Sequence, residues 1–318
     1  MSRPLVSIVV ETVTAREDGG GASLAEALAD TLDALAAQTW PGGSMERLLV
    51  LDGDVPDSDR DSIAGRFPDV RIVEAKAHNY FEAKNAGAAA AAGEYVALLD
   101  GDCAPDPAWL ERLMNRFAPG VAAVAGRTRY GGRSLSERIF SIPDFAYVLD
   151  SGHGKASGFN INNVVFRREA LLAHPFESRI ARNGGCYYLF HRLKAAGALV
   201  LYEPEAVVNH GNDVAGFGFV RKHFDRGHDG VDVYRLDNDS LLRGTPLFRR
   251  LGPLALVGFT VRRILIDWRN LLRHRRQIGI GGAAVPFYWG VAGLLRLIEL
   301  CGAMKAVAFP RPGISEPA

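Results

Sequence analysis

The chain has 318 residues, 48% of them hydrophobic and 23% charged, which suits one large or two moderate globular domains. Its three cysteines, Cys103, Cys186 and Cys301, are too far apart for a metal-ligand pattern or a disulfide framework and point to a reduced, cytosolic setting. The net charge of +1 hides a division: residues 1–242 hold 25 basic and 33 acidic groups, and residues 243–318 hold 12 basic and 3 acidic. An acidic front and a basic, apolar back suggest two different tasks.

The N-terminus, MSRPLVSIVVETVT, has a short apolar run without a small-residue cleavage site and reads as a strand, not a signal peptide. Leu5 to Val10 is that strand. Ser23 opens a helix with a capping box to Glu26, and Leu24, Leu28, Leu32 and Leu35 give it one buried face. Leu48 to Leu51 is a second strand, ending in Asp52-Gly53-Asp54, and Val70 to Val73 is a third. A helix from Glu82 to about Ala92 precedes the apolar strand Tyr95 to Leu99. Asp106-Pro107 reads as the N-cap and first turn of a helix carrying Leu110, Leu113, Met114 and Phe117, and a strand follows at Val121 to Ala125. Apolar strands alternating with helices argue an α/β fold with a mostly parallel sheet covered on both faces. Ligands of such sheets bind beyond the carboxyl ends of the strands, where Thr12, Asp52 and Asp102 fall. No GxGxxG follows the first strand, and no P-loop is present.

The stretch with the most specific chemistry is Asp100-Gly101-Asp102, at the end of a buried strand. Alternate residues of an extended segment point the same way, so both carboxylates can face one point. A hard divalent cation relieves the repulsion between them, and Mg²⁺ typically combines one or two carboxylates with the phosphates of a substrate.

In order, VSIVVETVT, LLVLDGD, AKNAGAAAAAGEYVALLDGDCAPDPAWL and GFNINNVVFRREAL resemble the nucleotide-sugar-binding half of the inverting glycosyltransferases of family 2, which have the GT-A fold. The resemblance covers roughly residues 4–230 and implies a GT-A domain over 1–235, followed by a helical basic and apolar segment over 236–318. It implies a nucleoside site at Glu11, Thr12 and Asp52, with a UDP-sugar as the expected donor. Lys84 and Asn85, at the start of a helix, are expected to steady the diphosphate. Asp100 and Asp102 match the metal-binding D-x-D, with His210 as a third ligand, for Mg²⁺ or Mn²⁺. Gly158, Asn160, Asn162 and Asn163 resemble the segment near the sugar and acceptor, where Asn side chains offer both donors and acceptors to hydroxyls. Arg221-Lys222-His223 and Arg226-Gly227 partly resemble a phosphate-contacting motif.

One position departs from the family. Its next helix normally opens with Glu-Asp, the Asp being the general base, and aligning on Leu189, Arg192 and Leu193 puts Gly185 and Cys186 there, with Tyr188 at a later acidic position. Glu177, in PFES just upstream, is the nearest carboxylate in sequence and is the expected base. The alternative is a GT-A module that binds nucleotide sugar or a partner without turnover. A nucleotidyltransferase would carry a glycine-rich, Arg/Lys-containing loop after Val10, and none is present.

From Arg243 to Arg276 nine arginines face a single acid, Asp267, and 19 uncharged residues separate Arg276 from Arg296. Gln277, five glycines and Pro286 in that stretch argue against a simple spanning helix. A surface-lying or partly inserted amphipathic segment on the inner face of the cytoplasmic membrane is the expectation, with a sugar or lipid-linked acceptor. Nucleic acid is not expected, since aromatic stacking platforms and a recognisable binding motif are absent.

Overall fold

The computed structural model describes residues 5–18, 23–41, 45–52, 55–75, 79–130, 135–145, 154–211, 218–236 and 250–309. They form two compact units: the first comprises residues 1–131, 148–178 and 192–212, the second 132–147, 179–191 and 213–318.

The first unit holds all the strands. In chain order it contains β1 (Val6–Glu11), α1 (Val13–Asp18), α2 (Leu24–Ala27), α3 (Ala29–Ala36), β2 (Met45–Asp52), α4 (Asp57–Arg66), β3 (Val70–Ala75), α5 (Tyr80–Ala90), β4 (Tyr95–Asp100), β5 (Cys103–Pro105), α6 (Trp109–Met114), β6 (Val121–Tyr130), β7 (Val164–Arg167), α8 (Arg168–Ala173) and β8 (Leu199–His210). The strands form one sheet in the order β3-β2-β1-β4-β7-β6-β8-β5. β3, β2, β1 and β4 run parallel, as expected of apolar runs buried on both faces, and β1 and β4 are buried along their whole length. Beyond β4 the sheet is mixed, because β7 pairs antiparallel with both β4 and β6, and β5 pairs antiparallel with β8. A core of Ile8, Leu28, Leu32, Leu35, Leu49, Leu99, Trp109 and Leu113 fills one side of the sheet.

Local signals hold where they are self-contained. The Ser23 capping box forms, with the Glu26 N–H donating to Ser23 Oγ at 3.3 Å and the Ser23 N–H donating to Glu26 Oε2 at 3.1 Å. The Asp106 N-cap does not. Ala108 occupies the cap of α6 without a side-chain bond, and the Asp106 carboxylate instead accepts from Asn209 Nδ2 at 3.0 Å.

The second unit is helical: α7 (Leu135–Phe145), the start of α9 (Gly185–Ala195), α10 (Gly218–Leu236), α11 (Ala255–His274) and α12 (Val285–Ala308). Among the described residues no helix is long and apolar enough to cross a membrane. α10 and α12 meet backbone to backbone: a Cβ on Gly302 would lie 1.9 Å from Phe224 O, and one on Gly227 would lie 1.8 Å from Glu299 O. Between α11 and α12, Trp268 and Trp289 stack with centroids 5.2 Å apart, and each indole N–H donates to the other residue's carbonyl, at 3.0 and 3.3 Å.

A charge network fills this unit. Arg296, only 2% exposed, donates to Asp267 at 2.7 Å, to Glu299 at 2.6 Å and to Pro143 O at 2.8 Å. His223 lies between Glu299, at 2.8 Å, and Asp144, at 3.5 Å, and Arg226 donates to Asp144 at 2.5 Å. Lys222 is 3.6 Å from Asp144. The motif read as phosphate-contacting therefore turns Lys222, His223 and Arg226 onto Asp144 and Glu299.

Candidate active site

The site lies where β1 and β4 end side by side, with Glu11 opposite Asp100 in the register. The chain leaves β4 through the turn at Gly101 and enters β5, whose Cys103 pairs with His210 at the end of β8. Neighbouring strand ends thus gather Asp100, Asp102, Cys103 and His210, one ligand atom of each lying within 4.8 Å of the others. His210 Nδ1 is 3.4 Å from Asp102 Oδ2, and the Cys103 thiol donates to Asp102 Oδ1 at 3.5 Å. Tyr130 sets its ring edge to face against His210, with centroids 5.6 Å apart. Burial pushes the Cys103 thiol well above its usual range, and the Asp102 and Asp100 carboxylates push it the same way.

Asp100 is held differently from Asp102. It accepts from Tyr80 Oη at 2.6 Å and pairs with Lys84 Nζ at 2.8 Å, and Lys84 also donates to Leu99 O. Lys84 has no exposed surface. Expected against a diphosphate, its ammonium is seen here neutralising Asp100. Glu11 is also fully buried, accepting from the Thr14 N–H at 3.2 Å and from its hydroxyl at 2.7 Å. Burial raises its carboxyl from 4.5 to about 7, against the pull of Lys84. Thr12 donates to Val50 O at 3.1 Å, which ties β1 to β2. Asp52 closes β2, and its side chain and Asp54 lie outside the described residues.

Asn85, expected beside it, turns onto the chain. Its amide clamps the backbone of Phe176, donating to the carbonyl at 2.9 Å and accepting from the N–H at 3.0 Å. Asn79, the N-cap of α5, donates to Ser178 O at 2.8 Å, and Arg192 donates to Pro175 O at 3.2 Å. The loop carrying Glu177 is therefore fastened to the helix whose Tyr80 and Lys84 hold Asp100.

The Asn-rich segment divides by role. Asn163 accepts from Trp109 Nε1 at 2.8 Å and donates to Ala206 O at 3.1 Å, so it is a core tie. Asn162 accepts from the Thr128 hydroxyl at 2.9 Å. Gly158 is buried. Asn160 is different: 5% exposed, it has a side-chain nitrogen with no hydrogen-bond partner among the described residues. Tyr80, Thr14, Asn79 and Cys103 were not legible as site residues in the sequence. Cys103 alone carried a signal, its adjacency to Asp102.

A parallel βα half joined to antiparallel strands, with acids and a histidine at one set of strand ends, is the arrangement of the GT-A fold. Residues 21–172 match the family model described as Glycosyl transferase family 2. Over 270 residues it is 26% identical to glycosyltransferase AglE of Haloferax volcanii, covering 80% of this chain and 81% of that protein. Over 191 residues it is 30% identical to the succinoglycan biosynthesis protein ExoM of Rhizobium meliloti, covering 57% of this chain and 62% of that protein. The mannosyltransferase PcManGT from Pyrobaculum calidifontis, solved in complex with GDP-Man and Mn²⁺, shares the fold with a TM-score of 0.61 at 17% identity, covering 98% of this chain and 89% of that one.

Proposed function

We propose that the first unit transfers a sugar from a nucleoside diphosphate sugar to an acceptor hydroxyl with inversion, using a divalent cation at Asp102, His210 and Asp100. The observation that carries this reading is the gathering of Asp100, Asp102, Cys103 and His210 at the strand ends. Carboxylate and imidazole donors suit Mn²⁺ or Mg²⁺. A cation bound there would neutralise the diphosphate and stabilise it as the leaving group. Lys84 and Tyr80 fix the rotamer of Asp100, so the acid meets its ligand without reorganising. The buried amide of Asn160 supplies an N–H donor to a sugar hydroxyl or phosphate oxygen. Glu177, on its fastened loop, takes the proton of the acceptor hydroxyl, in place of the acid missing at Gly185 and Cys186. A single displacement of that kind inverts the anomeric centre.

A carboxylate can accept from a uracil N–H, but that of Glu11 is fully buried and already accepts twice from Thr14, so UDP-sugars compete in this reading with GDP-mannose, the donor in the fold neighbour. A lipid-linked or polysaccharide acceptor at the inner face of the cytoplasmic membrane fits the basic C-terminal segment. Calorimetric titration of UDP and GDP, with and without Mn²⁺, tests the site: binding is expected to require the metal and to be lost in Asp102→Ala with the melting profile retained. Equal affinity in both conditions overturns the reading. For the base, Glu177→Gln is expected to slow turnover by roughly 100-fold with nucleotide affinity nearly unchanged.

A further inference from the structure

The second unit is built inside out. Between residues 250 and 309 the sequence has two acids, Asp267 and Glu299, against nine basic residues. Asp267 and Arg296 are buried, and Glu299 is bound within the charge network. The outward face of α12 carries Phe287, Leu294, Leu297 and Met304, at spacings of seven, three and seven, and none of the exposed residues of that helix is charged before Lys305. On α11 and the turn before it, Leu254, Val257, Val261, Leu265 and Leu272 are exposed, at spacings of three, four, four and seven that keep them on one stripe. Of the fourteen exposed large hydrophobic residues among those described, eleven lie between 251 and 309, so the patch is concentrated in this unit.

The chemistry along the stripe narrows the partner. Arg262, Arg269 and Arg273 are exposed, and their spacings of seven and four set them together on one flank of the α11 stripe, with the exposed Arg276 in the turn just beyond the helix. A second copy docking by the same face about a two-fold axis would bring like charges together. A nucleic acid would leave the leucines and Phe287 without a counterpart. A bilayer with anionic headgroups satisfies both features, taking the apolar stripe into the interface and the arginine flank to the phosphates.

We propose that the exposed α11–α12 face is a docking surface for an anionic bilayer, lying along it and not crossing it. This stands apart from the transfer chemistry of the first unit: a chain that binds vesicles without transferring sugar would overturn only the latter. The test is flotation of the full chain with vesicles of phosphatidylcholine alone and of phosphatidylcholine with an equal amount of phosphatidylglycerol. Binding to the anionic vesicles is expected, weakened by moderate salt because headgroup contacts are screened. The Leu265→Glu/Leu294→Glu variant changes two exposed positions, so it is expected to keep its melting temperature and lose at least about tenfold in vesicle affinity. Arg269→Ser/Arg273→Ser/Arg276→Ser is expected to erase the preference for anionic over neutral vesicles. The proposal is overturned if the unmodified chain floats with neither vesicle, or if the double variant binds as well as the unmodified chain. It is also overturned if the face proves to be a self-association surface, seen as a dimer in sedimentation that the double variant dissociates.

Discussion

A lysine with no exposed surface needs a counter-charge, and Lys84 finds one in Asp100. Removing one partner of a buried pair leaves the other charged and desolvated, at a cost of about 3–5 kcal/mol. Lys84→Met is therefore expected to lower unfolding stability in urea by that order, and an unchanged midpoint would show that the pair is dispensable. Lys84→Met/Asp100→Leu is expected to recover much of the loss while abolishing Mn²⁺-dependent nucleotide binding. Sequence spacing placed Lys84 near the start of a helix and could not tell which way its side chain runs. The same limit applied to Asn85 and Asn163, whose amides proved to bind backbone and an indole. Asp100 and Asp102 stood out as a pair because two acids so close at a strand's end suggest a shared cation, although Asp102 sits in the turn after β4 and not on its pleat.

Helix packing in the second unit depends on glycines that no local pattern singles out. Because a Cβ at Gly302 would meet the Phe224 carbonyl, Gly302→Val is expected to push α10 and α12 apart and destabilise the chain by about 1–3 kcal/mol, measured by thermal melting. The network between these helices also sets a pH response. Burial lowers His223 below its ordinary 6.5, so on acidification from that value protons bind more readily to the unfolded chain. Burial alone would raise Glu299, but Arg296, the His223 hydrogen bond and Arg226 hold it well below 4.5, which adds a second loss of stability at lower pH. Measured as the difference from the unmodified chain, His223→Gln is expected to become relatively more stable as pH falls from about 6.5, and a constant difference would refute the assignment. The strands β1, β2, β3 and β4 were readable as short apolar runs. The antiparallel pairings of β7 and β5 were not, because they depend on partners far away along the chain.

At the scale of the whole chain, the acidic front and basic back seen in composition correspond broadly to the strand-bearing unit and the helical one, although the second unit also takes in residues 132–147 and 179–191. Such short inserted pieces carry no compositional mark, so a sequence reading finds a single boundary where the fold has several. If the two units carry separate tasks, Asp102→Ala is expected to float with anionic vesicles like the unmodified chain, and Leu265→Glu/Leu294→Glu is expected to keep Mn²⁺-dependent nucleotide binding. Loss of both properties in either variant would show that the tasks are not separable. The buried charges of the second unit have one more consequence. Apolar helices held only by exclusion of water would have little reason to stay together once water is replaced by hydrocarbon. Arg296 with Asp267, His223 with Glu299, and Arg226 with Asp144 and Glu299 bind α7, α10, α11 and α12 by attractions that strengthen as the surroundings become less polar. The helices carry an adhesive that does not depend on the solvent outside them, so their outer surface is free to be greasy without the assembly coming undone.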